Sequence, residues 1–157
     1  MPDSVCAVGW SIPKRTDDGV IRGRHLAIEN EQGEMVIYAG ADTDGDGLLE
    51  VNSKTGTNLI CAGGSEGGYG LLTVSSRTGT DLIRAGADVY DHGQLTVMSK
   101  TGTELIYAGA SNDGTGFLFG GFNKTGEAVV RLFADDYGNG VVGAYNRKGK
   151  GRTLESR

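Results

Sequence analysis

The chain has 157 residues and a net charge of −5, with 28 glycines and only 2 prolines. This length suits one domain, and a mildly acidic balance without a basic stripe gives no reason to expect a nucleic-acid partner. The apolar runs are too short to span a bilayer as a helix, so no membrane partner is expected, and two cysteines do not make a disulfide framework.

Residues 1–18 lie outside the repeat pattern described below and are expected to form an N-terminal arm or cap. They contain the only tryptophan, Trp10, which is suited to cover the open end of a repeat array. The start of the chain lacks the basic segment and apolar core of a secretory signal. We therefore expect a protein of the cytoplasm, or one associated with a virion or a similar assembly.

Residues 19–149 repeat a unit of about 23 residues. Thr-Gly pairs end at Gly56, Gly79, Gly102 and Gly126, at intervals of 23, 23 and 24 residues. A fixed period of this size indicates a tandem array of one small supersecondary unit. Residues 150–157 lack the pattern and are expected to form a flexible polar tail.

Each unit is predicted to be a β-hairpin followed by a longer loop. In one copy, Leu72 and Val74 lie two residues apart, which places them on one face of a strand. The turn that follows contains Gly79, and glycine supplies the positive φ that a tight hairpin connection requires. In the second strand, Ile83 and Ala85 share a face that is nearly constant between copies, so we expect that face to be buried.

The repeats predict an all-β fold of antiparallel hairpins in a meander or β-prism. The alternative is a single-chain β-solenoid, in which equivalent columns stack. Apolar residues lie on both faces of the second strand, as at Leu59 and Ile60, and one sheet cannot bury both. We therefore expect a homo-oligomer, with a trimer favoured because three sheets can face one axis. An extra residue beside two glycines in the segment 117–122 predicts a β-bulge.

One loop has carboxylates at alternating positions before a glycine, as in the first half of a calcium-binding loop: Asp42, Asp44 and Asp46. Hard carboxylate oxygens at this spacing can converge on one cation. The bidentate Glu expected at the twelfth position is replaced by Ser53. The segment therefore predicts a weak calcium site with these three ligands, and no other cofactor is expected.

The loops that close the units carry four rings, at Tyr69, Tyr90, His92 and Tyr137. Exposed aromatic residues are common binding anchors, so these residues are candidates to bind a surface ligand or a glycan. The alternative is that the rings pack on neighbouring loops. Ser65 lies in a G-x-S-x-G pattern, but a strand follows it instead of the helix that a nucleophile elbow requires, so we expect no enzymatic activity.

The segment 46–56 and its copies resemble the tandem β-hairpin repeats of uncharacterised bacterial proteins, in which a D-G-x-G-x-L-x-V stretch precedes a polar turn with glycine. The repeats also resemble the β shafts of phage tail fibres and spikes, which are intertwined trimers. This resemblance implies an elongated, non-enzymatic assembly. We therefore expect a self-associating structural or interaction module; the alternative is a carbohydrate- or ligand-binding module that uses the variable Gly/Asp/Tyr loops.

Overall fold

Twelve β-strands follow one another in a single antiparallel sheet, and each strand pairs with its neighbours in the chain. The computed structural model describes residues 23–155 except residues 66 and 112, so the expected arm at 1–18 lies outside the described residues. The strands are β1 (Leu26–Glu29), β2 (Met35–Ala41), β3 (Gly47–Asn52), β4 (Asn58–Gly64), β5 (Gly70–Ser75), β6 (Asp81–Ala87), β7 (Gly93–Met98), β8 (Glu104–Ala110), β9 (Gly116–Phe122), β10 (Ala128–Ala134), β11 (Gly140–Tyr145) and β12 (Gly151–Glu155).

The order of the strands decides between the two predicted architectures. The sheet runs from β1 to β12 in sequence order, and its first and last strands are not paired with each other. All neighbouring strands are antiparallel, as at the pairing of β5 with β6. The antiparallel hairpin meander is therefore confirmed as an open sheet, and the solenoid alternative is wrong.

One turn geometry connects all the consecutive strands. Between β5 and β6, the N–H of Gly79 donates to the carbonyl of Ser76 at 2.9 Å, and the N–H of Ser76 donates to the carbonyl of Thr80 at 2.8 Å. Gly79 has a φ of +82°. This is a type I turn followed by one residue in the left-handed region, a common three-residue hairpin connection whose backbone suits strands with a right-handed twist.

In most of the turns, the first side chain accepts hydrogen bonds from backbone N–H groups of the same turn. Ser76 Oγ accepts hydrogen bonds from the N–H groups of Thr78 and Thr80, at 3.2 and 3.1 Å. Only Asn, Asp and Ser occupy this first position, and their short polar side chains are the ones that can reach back to the backbone in this way. The turns begin at Asn30, Asp42, Ser53, Ser65, Ser76, Asp88, Ser99, Ser111, Asn123, Asp135 and Asn146.

The predicted distinction between a tight turn and a longer loop in each unit is wrong. The connection that begins at Asp88 has the same two backbone hydrogen bonds as the one that begins at Ser76. Its fourth residue is Asp91, with a φ of +63°, in the place that glycine takes at the other turns. Aspartate is among the residues that tolerate this region best after glycine. The hydrogen-bonded turn therefore recurs after every strand, at about half of the sequence period.

β-Bulges lie in the β1–β2, β3–β4, β5–β6 and β7–β8 hairpins and not where the sequence predicts one. At the β3–β4 hairpin, the register shifts beside Val51 and leaves Leu59 as the extra residue. Equivalent shifts occur in the β1–β2, β5–β6 and β7–β8 pairs. Leu59 therefore belongs to a bulge and does not begin a second regular apolar face.

The predicted bulge in the segment 117–122 does not shift the register. Phe122 lies opposite Ala128, and Gly120 lies opposite Val130. In the equivalent hairpins, the second strand has one residue more than the first and forms the bulge. Here the first strand also has one more residue, Gly121, so the two strands pair one to one. Gly121 has a φ of +69°, which shows that the insertion is absorbed by its backbone conformation.

The register places apolar residues from all twelve strands on one side of the sheet, called here the apolar face. Leu72 lies opposite Ala62 and Ala85, and the same pairing recurs along the sheet. The apolar face consists of Leu26, Ile28, Ile37, Ala39, Leu49, Val51, Ile60, Ala62, Leu72, Val74, Ile83, Ala85, Leu95, Val97, Ile106, Ala108, Leu118, Val130, Leu132, Val142, Ala144 and Leu154.

No second layer covers the apolar face within the described ranges. Leu49 is 43% exposed, and Leu72 and Leu95 are each 39% exposed. The only buried apolar residue in this part of the chain is Val141, on the other side of the sheet. The expected burial of the Ile-Ala face is therefore not reached within one chain.

The opposite face is mixed, with rings that lie over glycines. The Tyr38 hydroxyl donates to the carbonyl of Ala41 at 3.0 Å and crosses Gly40, where a Cβ would clash with it. The ring of Tyr145 lies over Gly143 in the same way. Glycine in a strand leaves room for such a ring, and the ring covers backbone that glycine leaves exposed.

The repeat continues past Gly149, where the sequence analysis placed its end. The turn that begins at Asn146 reverses the chain, and β12 pairs with β11 through residues that were expected in the polar tail. Leu154 lies opposite Val142 on the apolar face. The segment 151–155 therefore forms the last strand of the sheet.

We predict that Gly79→Val destabilises the fold by about 1–3 kcal/mol, because a β-branched residue resists a positive φ. The measurement is the midpoint of urea unfolding at one fixed protein concentration. Gly93→Val is the matched control, since Gly93 does not have a positive φ and an added Cβ there meets nothing within 4 Å. Equal midpoints for the two variants would contradict the turn assignment.

Candidate functional site

The turns lie along the two long edges of the sheet, because every strand crosses its full width. The edge that carries the Thr-Gly turns, called here the basic edge, comprises residues 30–34, 53–57, 76–80, 99–103, 123–127 and 146–150. The other, called here the acidic edge, comprises residues 42–46, 65–69, 88–92, 111–115 and 135–139. All the candidate metal and ligand residues from the sequence fall on the acidic edge.

One of the three predicted calcium ligands, Asp42, stabilises the turn in which it lies. Asp42 Oδ1 accepts hydrogen bonds from the N–H groups of Asp44 and Asp46, at 2.9 and 2.8 Å. This is the role that Ser76 Oγ has in its own turn. In the described part of the chain, no three His, Cys, Asp or Glu side chains are grouped so that they could hold a metal ion. The calcium site therefore stays a prediction without geometric support.

The four candidate rings are spread over three turns. The Tyr69 hydroxyl donates to the carbonyl of Val89 at 3.5 Å and so links two neighbouring turns. The rings of Tyr90 and His92 have centroids 6.2 Å apart. Tyr137 is 90% exposed. The structure thus brings Tyr90 and His92 together, places Tyr69 against the same turn, and leaves Tyr137 apart at the β10–β11 turn.

Ser65 has a structural position in its turn. Its Oγ accepts a hydrogen bond from the N–H of Tyr69 at 3.3 Å, as the first residues of other turns do. The strand β5 follows the turn, so the chain has no helix at the place where a nucleophile elbow needs one. The absence of enzymatic activity stays a prediction.

An aromatic cluster that the sequence analysis missed lies on the opposite face of the sheet. Phe117 is 5.4 Å from Tyr107 and 5.0 Å from Phe119, measured between ring centroids. The guanidinium carbon of Arg131 lies 5.3 Å from the ring centroids of both Phe119 and Tyr145. A cation within about 6 Å of a ring is attracted to its face. The cluster therefore forms a continuous surface over the strands β8–β11.

A shallow hollow begins where this cluster meets the acidic edge. Tyr107 and Phe117 line it from the strands, and Asp88, Ser111 and Asp113 line it from two neighbouring turns. Rings and carboxylates thus face the same space. The hollow is wide open to solvent, and its lining is about half polar and half apolar.

The two carboxylates of the hollow are held in the charged form. A hydrogen bond from the Ser111 hydroxyl and another from the Thr115 N–H lower the pKa of Asp113 to about 2. The N–H groups of His92 and Tyr90 lower the pKa of Asp88. Ionised carboxylates accept hydrogen bonds and do not donate them. The hollow therefore offers two acceptors beside two aromatic rings, which suits a ligand with hydroxyl donors and an apolar flank.

No protein-family model matches the chain, and a comparison with curated proteins finds no significant similarity. The tandem β-hairpin repeat is confirmed by the strand pairing, whereas the resemblance to phage shafts stays a prediction. Within the ranges described above, the chain contains no helix with the length and hydropathy needed to cross a membrane.

We predict that the melting temperature falls as the pH is lowered from about 5 to about 2. Folding lowers the pKa of Asp113 from its ordinary value of 3.8 to about 2. The ionised carboxylate therefore stabilises the fold above about pH 4, and this stabilisation is lost as the pH falls toward 2. The measurement is a set of thermal melts against pH for the parent and for Asp113→Asn, which should depend less on pH.

Asp136→Asn is the matched control for this experiment. Asp136 is exposed on the same edge, and its carboxylate makes no hydrogen bond or ion pair with the described residues. This variant should keep the pH dependence of the parent. If both variants flatten the curve equally, the hydrogen bonds to Asp113 are not the cause.

Proposed function

We propose that this protein is a non-enzymatic structural module whose copies assemble through the apolar face. The observation that supports the proposal is the continuity of this face over twelve strands, without a covering layer in the described residues. Large contiguous apolar patches on a protein surface commonly mark a site of association. The occupant that fits best is another copy of the same chain, because only an equally long sheet can cover the whole face.

The size of the apolar face favours stable association. Twelve strands at about 4.8 Å spacing extend over roughly 53 Å, and strands of six or seven residues are about 20 Å long, so the face measures on the order of 1,000 Å². A stable interface buries about 800 Å² on each partner. The area of the apolar face therefore reaches the size of a stable interface.

The width of the sheet favours three copies around one axis. Packed sheets lie about 10 Å apart, so a side chain reaches about 5 Å from its own sheet. A triangular prism with sides of about 20 Å has its axis about 6 Å from each sheet, a distance that these side chains can fill. A four-sided prism of the same width would leave a hollow axis. A homotrimeric β-prism is therefore the preferred assembly, and a two-sheet sandwich is the remaining alternative.

We predict that light scattering of the parent at micromolar concentration gives a molar mass three times the 16.4 kDa of one chain. Leu72→Asp should shift the mass toward that of one chain, because assembly would bury an unpaired carboxylate. Thr73→Asp is the matched control, since it places the same charge on the opposite face of the same strand, beside Arg84. A parent that is monomeric under these conditions would refute the proposal.

Saccharide binding is a second candidate function, and the hollow beside the aromatic cluster favours it. Ring faces of Tyr107 and Phe117 can contact the C–H groups of a sugar, while Asp88 and Asp113 accept hydrogen bonds from its hydroxyls. The rings and the hollow lie on the side of the sheet away from the apolar face, so assembly would leave them exposed. This site differs from the four turn rings predicted from the sequence.

We predict that, if the parent binds a glycan on an array, Tyr107→Ala lowers the signal on the order of tenfold, because it removes one ring of the hollow. The triple variant Tyr69→Ala, Tyr90→Ala, Tyr137→Ala changes only turn rings and serves as the control. The reverse pattern would place binding at the acidic edge, and a parent that binds no glycan would remove this candidate function.

A further inference from the structure

The two long edges of the sheet carry opposite charges. Cations occupy the second position of five successive turns on the basic edge: Lys54, Arg77, Lys100, Lys124 and Arg147. With Lys148 and Lys150, this edge has seven cations against three carboxylates. All these cations are exposed.

The acidic edge has the reverse composition. Its turns contain no Lys or Arg. Their aspartates are Asp42, Asp44, Asp46, Asp88, Asp91, Asp113, Asp135 and Asp136. Successive turns on one edge are two strands apart, or about 10 Å, so each edge presents a ladder of like charges along the length of the sheet.

The two ladders do not neutralise each other within one chain. The ion pairs found in the described part of the molecule join Arg84 to Asp81 at 3.0 Å and His92 to Asp88 at 3.9 Å. Neither pair uses a Lys or Arg of the basic edge. The strands separate the edges by about 20 Å, which is about two Debye lengths at 0.1 M salt. Each ladder is therefore open to a partner of the opposite charge.

We propose that the basic edge of one copy lies along the acidic edge of the next copy, with all chains running in the same direction around an axis parallel to the length of the sheet. The inference rests on the assembly through the apolar face proposed above. Rotation about such an axis brings opposite edges together at every junction, whether the assembly has two or three copies. A two-fold axis parallel to the strands would instead place the basic edge against the basic edge of the partner and the acidic edge against the acidic edge. It would also place β1 against β12 of the partner.

The edges select the orientation, whereas the apolar face supplies the affinity. Single exposed ion pairs contribute little, because water and salt screen them. Rows of like charge placed against each other are unfavourable, and such repulsion is an effective way to exclude a wrong arrangement. The apolar face alone does not distinguish parallel from antiparallel chains, since both faces are equally apolar in either case. The charge ladders break this equivalence.

The same geometry fixes which charges meet. The turn that contains Lys100 lies, along the length of the sheet, between the acidic-edge turns that begin at Asp88 and Ser111. Rotation without translation keeps this level in the neighbouring copy. Lys100 should therefore lie near Asp91 or Asp113 of the next chain, and Lys54 near Asp44 or Asp46.

Zero-length carbodiimide cross-linking with mass spectrometry tests this arrangement directly. We expect amide links from Lys100 to Asp91 or Asp113, and from Lys54 to Asp44 or Asp46. A single sheet cannot form these links, because its edges are about 20 Å apart. A mixture of ¹⁴N- and ¹⁵N-labelled chains will confirm that each link joins two copies. If the parent is assembled and these links are absent, the proposed orientation is overturned.

Charge reversal provides an independent test. The variant Lys54→Glu, Arg77→Glu, Lys100→Glu, Lys124→Glu makes both edges acidic and should weaken assembly on the order of tenfold or more at 50 mM salt, with recovery at 1 M salt. Adding Asp44→Lys, Asp46→Lys, Asp113→Lys and Asp136→Lys brings the acidic edge close to neutrality, which removes most of the repulsion and should restore much of the assembly at low salt. Circular dichroism will show that each variant keeps its β structure.

The outcomes separate this inference from the proposed function. If the charge-reversed variant assembles as well as the parent, the inference is overturned, and assembly through the apolar face stands. A parent that is monomeric at every salt concentration overturns both. If the first variant loses assembly and the second variant, with its nearly neutral acidic edge, recovers none of it, the pairing of opposite edges is also overturned.

Discussion

The capped turn is the constraint on which the rest of the structure depends. A short polar side chain at its first position accepts two backbone N–H groups, as Ser76 does, and a residue with positive φ at its fourth position completes the reversal. The same connection recurs along the sheet, and the ten inner strands all have six or seven residues. The side-chain alternation therefore stays in phase from β1 to β12, and the bulges adjust it only beside the turns.

This regularity produces a sheet that is well paired but has little interior. The backbone hydrogen bonds of the inner strands are satisfied on both sides, whereas the apolar face lacks a covering layer in the described residues. An isolated layer gains little from apolar burial to offset the conformational entropy lost on folding. If copies assemble through the apolar face as proposed, stability and assembly are expected to be coupled, because covering this face would supply the missing apolar burial.

The opposite face and the two edges vary in composition along the sheet. The opposite face changes from polar residues such as Thr73 to the rings of Phe117 and Phe119, while glycines such as Gly40 make room for neighbouring tyrosines. The two edges share one turn geometry but have opposite charges, because the exposed positions of a turn are not constrained by its backbone. A uniform scaffold thus presents an apolar face, a variable face and two charged edges, each suited to a different contact.

The sequence by itself determined the hairpin repeat, the all-β fold and the face that Leu72 and Val74 share, because turn chemistry and two-residue alternation are local. It did not reveal that the turn with Asp91 has the same geometry as the Thr-Gly turns, since aspartate takes the position of positive φ that glycine occupies elsewhere. Only the tertiary structure decided the register, which makes Leu59 a bulge residue and brings Arg131 between two rings from different strands. Cross-strand neighbours depend on pairing between segments distant in the chain, and local preferences do not encode that pairing.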